Sequence, residues 1–207
     1  RQLLLAQRAG ALRGVPRVVA ELGPGDSIGI GLMALLTGAE KYFALDVVPY
    51  TNLAKNRAIL DELIALLRAR APLPGDEEFP GMKPELLQGE FPDGLFDLDA
   101  TLAEGRLRQI ARSVTHPAEP ESRIVYRAPW FSSEVLEQDS VDLIFSQAVL
   151  EHVDDLAGVY AAMRGWLRPG GRWVNSGSLA FGGEEPAHRY ALEEVREIVA
   201  GSGFAPV

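Results

Sequence analysis

VVAELGPGDSIGIG, Val18 to Gly31, is an apolar run closed by Glu21, followed by Gly23 and Gly25 and then by small and apolar residues. Glycine reaches backbone angles closed to other residues and lets a ligand lie against the main chain. A strand that ends in such a turn and passes into a helix is the opening unit of an α/β fold, and its turn is a candidate binding site.

Working outward, strand-like runs recur at RVVAEL (17–22), KYFALD (41–46), RIVYR (123–127), VDLIFS (141–146) and GRWVNSG (171–177). Between them lie apolar residues of helical period: Leu53, Leu60, Leu63, Ile64 and Leu67, then Leu156, Val159, Tyr160, Met163 and Leu167. This alternation predicts a doubly wound, mostly parallel Rossmann-like α/β sheet with helices on both faces. Asp154 and Asp155 are suitable N-caps for the second helix, and RPGG (168–171) reads as its stop signal.

The alternation fails across residues 71–122. That stretch holds 7 of the 14 prolines, and eight acids face one lysine between Asp76 and Asp99. Proline and charge there disfavour a regular sheet element. A helix interrupts the segment, with Asp99 expected as its N-cap and Leu102, Leu107, Ile110 and Val114 along one side. The segment reads either as a solvated surface insertion or as a lid whose Phe79, Met82, Phe91, Leu95 and Phe96 face the acceptor space.

At 207 residues and 47% hydrophobic content, the chain has enough apolar side chains for a full core and reads as a single domain, 1–207, containing the 71–122 insertion. It begins at Arg1 and ends at GFAPV where a new strand starts, the pattern of a fragment lacking its C-terminal strand. No apolar run approaches the ~18 residues of a membrane span. The opening RQLLLAQRAGALRG is too interrupted by arginine for a secretory signal, so a soluble, cytoplasmic protein is expected. The absence of cysteine excludes disulfides and thiolate chemistry. A net charge of -9 opposes a broad nucleic-acid footprint and favours a small-molecule partner. Oligomeric state is not legible.

Gly23, Gly25 and Ile28 do not fit the G-x-G-x-x-G dinucleotide pattern, because a bulky residue occupies the third glycine place. The register is E-x-G-x-G-x-x-x-G from Glu21 to Gly29. Asp46 ends the second strand; an acid at that strand tip can accept hydrogen bonds from a ribose diol, although such an acid also serves as a turn former.

Taken together, ELGPGDSIG, FALD, DLIFSQAVLEHVDDL and LRPGGRW resemble the successive motifs of class I S-adenosylmethionine-dependent methyltransferases over residues 17–204. The resemblance implies methyl transfer from S-adenosyl-L-methionine to a small-molecule or sugar-containing acceptor. It places Glu21, Gly23, Pro24 and Gly25 around the methionine moiety, Asp46 with Val47 at the ribose, and Ala128 with Pro129 near the adenine. Ser146, Gln147 and Ala148 would close over the cofactor. Ser27 replaces a third glycine common in the family, and Ala128 replaces an acid often found near the adenine amine.

Transfer from a sulfonium needs positioning and desolvation more than covalent catalysis. An oxygen acceptor also needs a base, and the three histidines, His116, His152 and His188, are the candidates. Each has a structural alternative, as a surface loop residue or a turn-ordering group. Trp130 and Phe131 serve as an adenine wall or as core. No metal site is expected, since Asp93, Asp97 and Asp99 read as a solvated acidic loop. Two competing classes are a non-catalytic methyltransferase-like binding or scaffold protein, and a nicotinamide-dependent dehydrogenase, which Ile28 and the lack of a Tyr-x-x-x-Lys pair disfavour.

Overall fold

A computed structural model describes residues 14–73, 91–92, 95–130, 132–176 and 192–204. The strands are β1 (Val18–Leu22), β2 (Lys41–Leu45), β3 (Ile124–Arg127), β4 (Val141–Gln147) and β5 (Leu167–Ser176). The helices are α1 (Gly29–Leu36), α2 (Leu53–Arg68), α3 (Leu98–Thr101), α4 (Glu104–Thr115), α5 (Leu156–Trp166) and α6 (Leu192–Gly201). All the strand pairs are parallel, in the order β3-β2-β1-β4-β5. The order reverses between β1 and β4, and open α/β sheets bind ligands at such a switch point, outside the carboxyl ends of the strands.

Side-chain alternation divides the core in two. Val19, Tyr42, Ala44, Leu143 and Phe145 face Leu32 and Leu35 of α1, Leu60 of α2 and Ile110 and Val114 of α4. Ala20, Leu22 and Ile144 face the other way, onto Tyr160, Met163 and Trp166 of α5 and Val199 of α6. Two faces covered by helices explain why the strands read as nearly continuous apolar runs. Among the described residues, no helix is long and apolar enough to cross a membrane.

Two local expectations change. The RPGG stretch lies within β5: Val141 pairs with Leu167 but Leu143 with Arg172, so the intervening residues bulge out of the ladder. The first short helix of the 71–122 segment is capped by Asp97, whose carboxylate accepts from Ala100 N at 3.0 Å, and not by Asp99. Asp155 caps α5 by accepting from Gly158 N at 2.8 Å.

The amino edge of the sheet is closely fastened. Asp142 Oδ2 accepts from the backbone N–H groups of Arg17 and Val18 at 2.9 and 2.8 Å. Arg17 also pairs with Glu40, and Arg168 with Asp142. The Arg106 side chain of α4 donates to Leu35 O and Ala39 O at the end of α1, and Ser113 Oγ accepts from Arg123 N at the entrance to β3. Helix α4 is therefore tied to the amino edge near both of its ends. Phe91 packs on the same core beneath the Arg70 guanidinium, 5.9 Å from its ring centroid. These residues of the 71–122 segment form core at the amino edge and do not fold back over the carboxyl edge, contrary to the lid expectation for Phe91. Phe79 and Met82 lie outside the described residues.

Candidate functional site

Four strand ends converge at the carboxyl edge, and the glycine turn is the centre of the group. Gly23 N–H donates to Leu45 O at 2.8 Å, which extends the β1–β2 pairing by one residue before the chain turns. Gly23 and Gly25 have φ of 66° and 65°, a left-handed region unfavourable to other residues. Gly23 is constrained a second time, because a Cβ there would stand 2.4 Å from Cγ2 of Val149, just beyond β4. At Gly25 a Cβ would meet nothing within 4 Å, so open space lies against that part of the turn.

Asp46, 5% exposed, joins the second strand end to this turn. Its Oδ2 accepts from Gly25 N at 2.9 Å and its Oδ1 from Val47 N at 2.7 Å. An ionised carboxylate oxygen can accept more than one hydrogen bond, so both retain capacity for a ligand donor. Asp46 N donates to Arg127 O and Trp130 N donates to Asp46 O, at 2.9 and 3.1 Å, which holds Ala128 and Pro129 beside the acid. Val47, the next residue, is 57% exposed at the rim.

The start of α1 is held by side chains. Ile28 N donates to Oδ1 of the buried Asn56 at 3.1 Å, Asn56 Nδ2 donates to Thr51 Oγ1 at 2.9 Å, and Gly29 N donates to Ser27 Oγ at 3.2 Å. Two of the donors a helix start leaves over are thus satisfied internally. Lys55 forms an ion pair with Asp26 in the turn itself.

Glu21 points to the α1 side of the sheet, 4% exposed, and accepts a hydrogen bond from the Tyr42 hydroxyl on β2. Burial pushes its carboxyl up to about 8, against the opposing pull of that hydroxyl, and Asp46 adds to the rise. Burial likewise drives the Tyr42 phenol well above its ordinary value.

At the end of β4, Ser146 is the last residue but one of the strand. Its side chain is fully buried and donates to Asn175 Oδ1 of β5 at 2.8 Å, so it ties two strands together. Gln147 and Ala148 are exposed, and Ala148 adopts φ 52°. For a residue other than glycine this costs about 1–3 kcal/mol, a strain often found at binding sites. Beyond it, a single 3-10 turn, Leu150–His152, leaves His152 exposed.

The remaining expectations separate by position. His116 follows α4 at the entrance to β3, at the amino edge, with Thr115 Oγ1 2.8 Å from its Nδ1. It is therefore remote from the glycine turn. His188 and Phe131 lie outside the described residues. Trp130 packs edge-on against Trp166 at 5.4 Å and belongs to the second core. The groove lined by Leu67, Arg68, Arg70, Leu98, Asp99 and Leu102 is at the far end of α2 and takes no part in this edge.

Sequence reading missed Tyr42, Asn56 and Val149. Asn56 did carry a signal, since it stands on the same helical stripe as Leu60, Leu63 and Leu67, where a polar side chain needs a buried partner.

The order of the strands, the glycine turn after β1 and the acid at the tip of β2 define a Rossmann-like fold with a candidate ligand edge at its switch point. Residues 106–174, about a third of the chain, match the family described as methyltransferase domain. The fold is shared with phosphoethanolamine N-methyltransferase 2 of Haemonchus contortus, solved with phosphomonomethylethanolamine and S-adenosylhomocysteine, at 14% identity and TM-score 0.52, covering 98% of this chain and 36% of that one. It is shared also with the YcgJ protein of Bacillus subtilis, at 12% identity and TM-score 0.51, covering 98% of this chain and 68% of that one. An S-adenosylmethionine-dependent methyltransferase from Mesorhizobium loti matches at 19% identity and TM-score 0.48, over 99% of this chain and 82% of its own. Comparison with curated protein sequences gives no match. The chain thus matches a methyltransferase-domain model over residues 106–174 and shares the fold of these solved proteins over nearly its whole length.

Proposed function

We propose that the chain binds S-adenosyl-L-methionine across the β1 and β2 ends and transfers its methyl group to a small-molecule or sugar-containing acceptor. The observation that carries this reading is the Gly25 N–H to Asp46 hydrogen bond at 2.9 Å beside open space at Gly25. It fixes an acid with spare acceptor capacity against a turn whose backbone a ligand can approach; the acid can accept from a ribose diol, and the open turn admits an amino-acid tail. Bound there, the cofactor supplies a methyl group on a sulfonium.

In this reading Asp46 and Val47 hold the ribose, Gly23, Pro24 and Gly25 present the backbone to the amino-acid end, and Ala128 with Pro129 borders the adenine. Gln147 and Ala148 bound the site from the β4 side. His152 is the histidine that the described fold leaves exposed beside this edge, and it is assigned the acceptor's proton when the acceptor is an oxygen.

Calorimetry with S-adenosylhomocysteine is the direct test. Saturable binding that is lost in Asp46→Ala supports the reading, and a folded protein that gives no heat at high micromolar ligand refutes it. Binding without turnover on a panel of hydroxyl, amine and sugar acceptors would favour the non-catalytic scaffold instead.

A further inference from the structure

Glu21 occupies a costly position. Its neighbours on that face, Val19, Ala44 and Phe145, are apolar, and a buried carboxyl without a partner is strongly unfavourable. The Tyr42 hydroxyl is its hydrogen-bond partner, and the tyrosine ring is fixed from above by α1. A Cβ at Gly31 would stand 2.1 Å from Tyr42 Cζ, so the helix backbone rests directly on the ring and leaves the phenol no room to swing away. Packing alone does not call for this pair, since replacing both members by apolar groups of similar shape is often neutral.

We propose that Tyr42 is a positioning residue for the cofactor: its hydroxyl, clamped beneath α1, holds the Glu21 carboxylate in the orientation that receives the amino-acid end of the ligand. This rests on the cofactor reading above and extends it to a residue that does not itself line the turn. The hydroxyl also favours the ionised form of Glu21, while burial opposes it, so the pair sets the pH at which the carboxylate becomes available. The other described charged groups around the pair are few. Asp46 at the tip of β2 bears on both members, and Tyr126 of β3 bears on Tyr42. Helix α1 contributes no titratable side chain, β4 presents Phe145 and Ser146 at that level, and Lys55 of α2 is engaged by Asp26. Binding with Glu21 ionised releases one proton from the carboxyl to the buffer.

Three properties of the intact chain test the proposal: affinity for S-adenosylhomocysteine from pH 6 to 8.5, affinity for 5′-methylthioadenosine, which lacks the amino-acid end, and the proton count from buffers of different ionisation enthalpy. In the wild type, S-adenosylhomocysteine binding should strengthen toward pH 8, by up to tenfold per pH unit, with proton release. Tyr42→Phe, which keeps the ring against Gly31, should weaken it at least tenfold at pH 7 and move the rise to higher pH, while methylthioadenosine binds both proteins equally. Glu21→Gln should abolish the pH dependence, and it serves in place of Tyr42→Phe if that variant does not fold. Unchanged affinity and pH profile in Tyr42→Phe, or equal losses for the two ligands, would overturn the positioning role while leaving the cofactor reading intact. Failure of the wild type to bind either ligand overturns both.

Discussion

Substituting Gly23 by alanine should be costly for two separable reasons, and a double-mutant cycle can divide them. The φ of 66° places an added methyl in the left-handed region, a penalty of about 1–2 kcal/mol. The same methyl would stand 2.4 Å from Cγ2 and 3.1 Å from Cγ1 of Val149, and forcing a carbon into such a packed contact costs about 1–3 kcal/mol more. Gly23→Ala alone should then lose about 2–5 kcal/mol of unfolding free energy. In a Val149→Ala background both γ-methyls are gone, the nearest remaining atom is Cβ at 3.3 Å, and only the backbone term of about 1–2 kcal/mol should persist. Urea unfolding of the four proteins, with equal m-values, gives the coupling directly. Costs that add to within about 0.5 kcal/mol would show that the β4 loop does not press on the turn, and the account of Gly23 as doubly constrained would fall.

Asp46→Ala should weaken S-adenosylhomocysteine binding by about 1.5–3 kcal/mol, the range for hydrogen bonds to a charged group, as read by calorimetry. Glu21 should make the protein less stable as pH rises: its carboxyl titrates at about 8 in the fold against an ordinary 4.5, so the folded state binds the extra proton between those values. Its contribution is fully present below 4.5 and is lost as pH passes through about 8, and chemical denaturation of Glu21→Gln across that window should show a flatter profile. Ser146→Ala should cost about 1 kcal/mol of stability by leaving Asn175 Oδ1 without its donor, with S-adenosylhomocysteine affinity unchanged. A loss of affinity as large as that of Asp46→Ala would return Ser146 to the ligand.

The sheet was legible because its strands are apolar on both faces and the breaks between them are chemically explicit. Glycine at 23 and 25 and an acid at 46 also announced the turn and its partner, since each residue type is tied to a backbone or acceptor requirement that no other residue meets as well. What escaped was long-range pairing. Tyr42 and Glu21 are adjacent only once β1 and β2 are in register, with Glu21 opposite Ala44, and nothing local to either residue marks the contact. Ser146 was legible as the last residue of the strand run 141–146, but its bond to Asn175 was not, because the contact forms only when β4 and β5 are paired and the two-residue alternation carries Ser146 to the same side as Ile144. In the 71–122 segment, the stripe of Leu107, Ile110 and Val114 announced α4, but proline and acid content gave no sign of the amino-edge core on which that stripe packs. Composition averages over a helix that buries one stripe, and the stripe decides where it packs.

The unequal fastening of the two sheet edges bears on how such a chain can diversify. At the amino edge, Asp142 grips two backbone amides and Arg106 grips two carbonyls, contacts more durable than the exposed Arg17–Glu40 pair, which is worth about 1 kcal/mol at most. The frame is thereby secured at the end remote from the glycine turn. Loops at the turn's own edge can be lengthened at a closure cost of only about 0.6 kcal/mol per doubling. A lineage built on this frame is free to trade one acceptor for another by rewriting those loops, inheriting the scaffold without having to reinvent its stability.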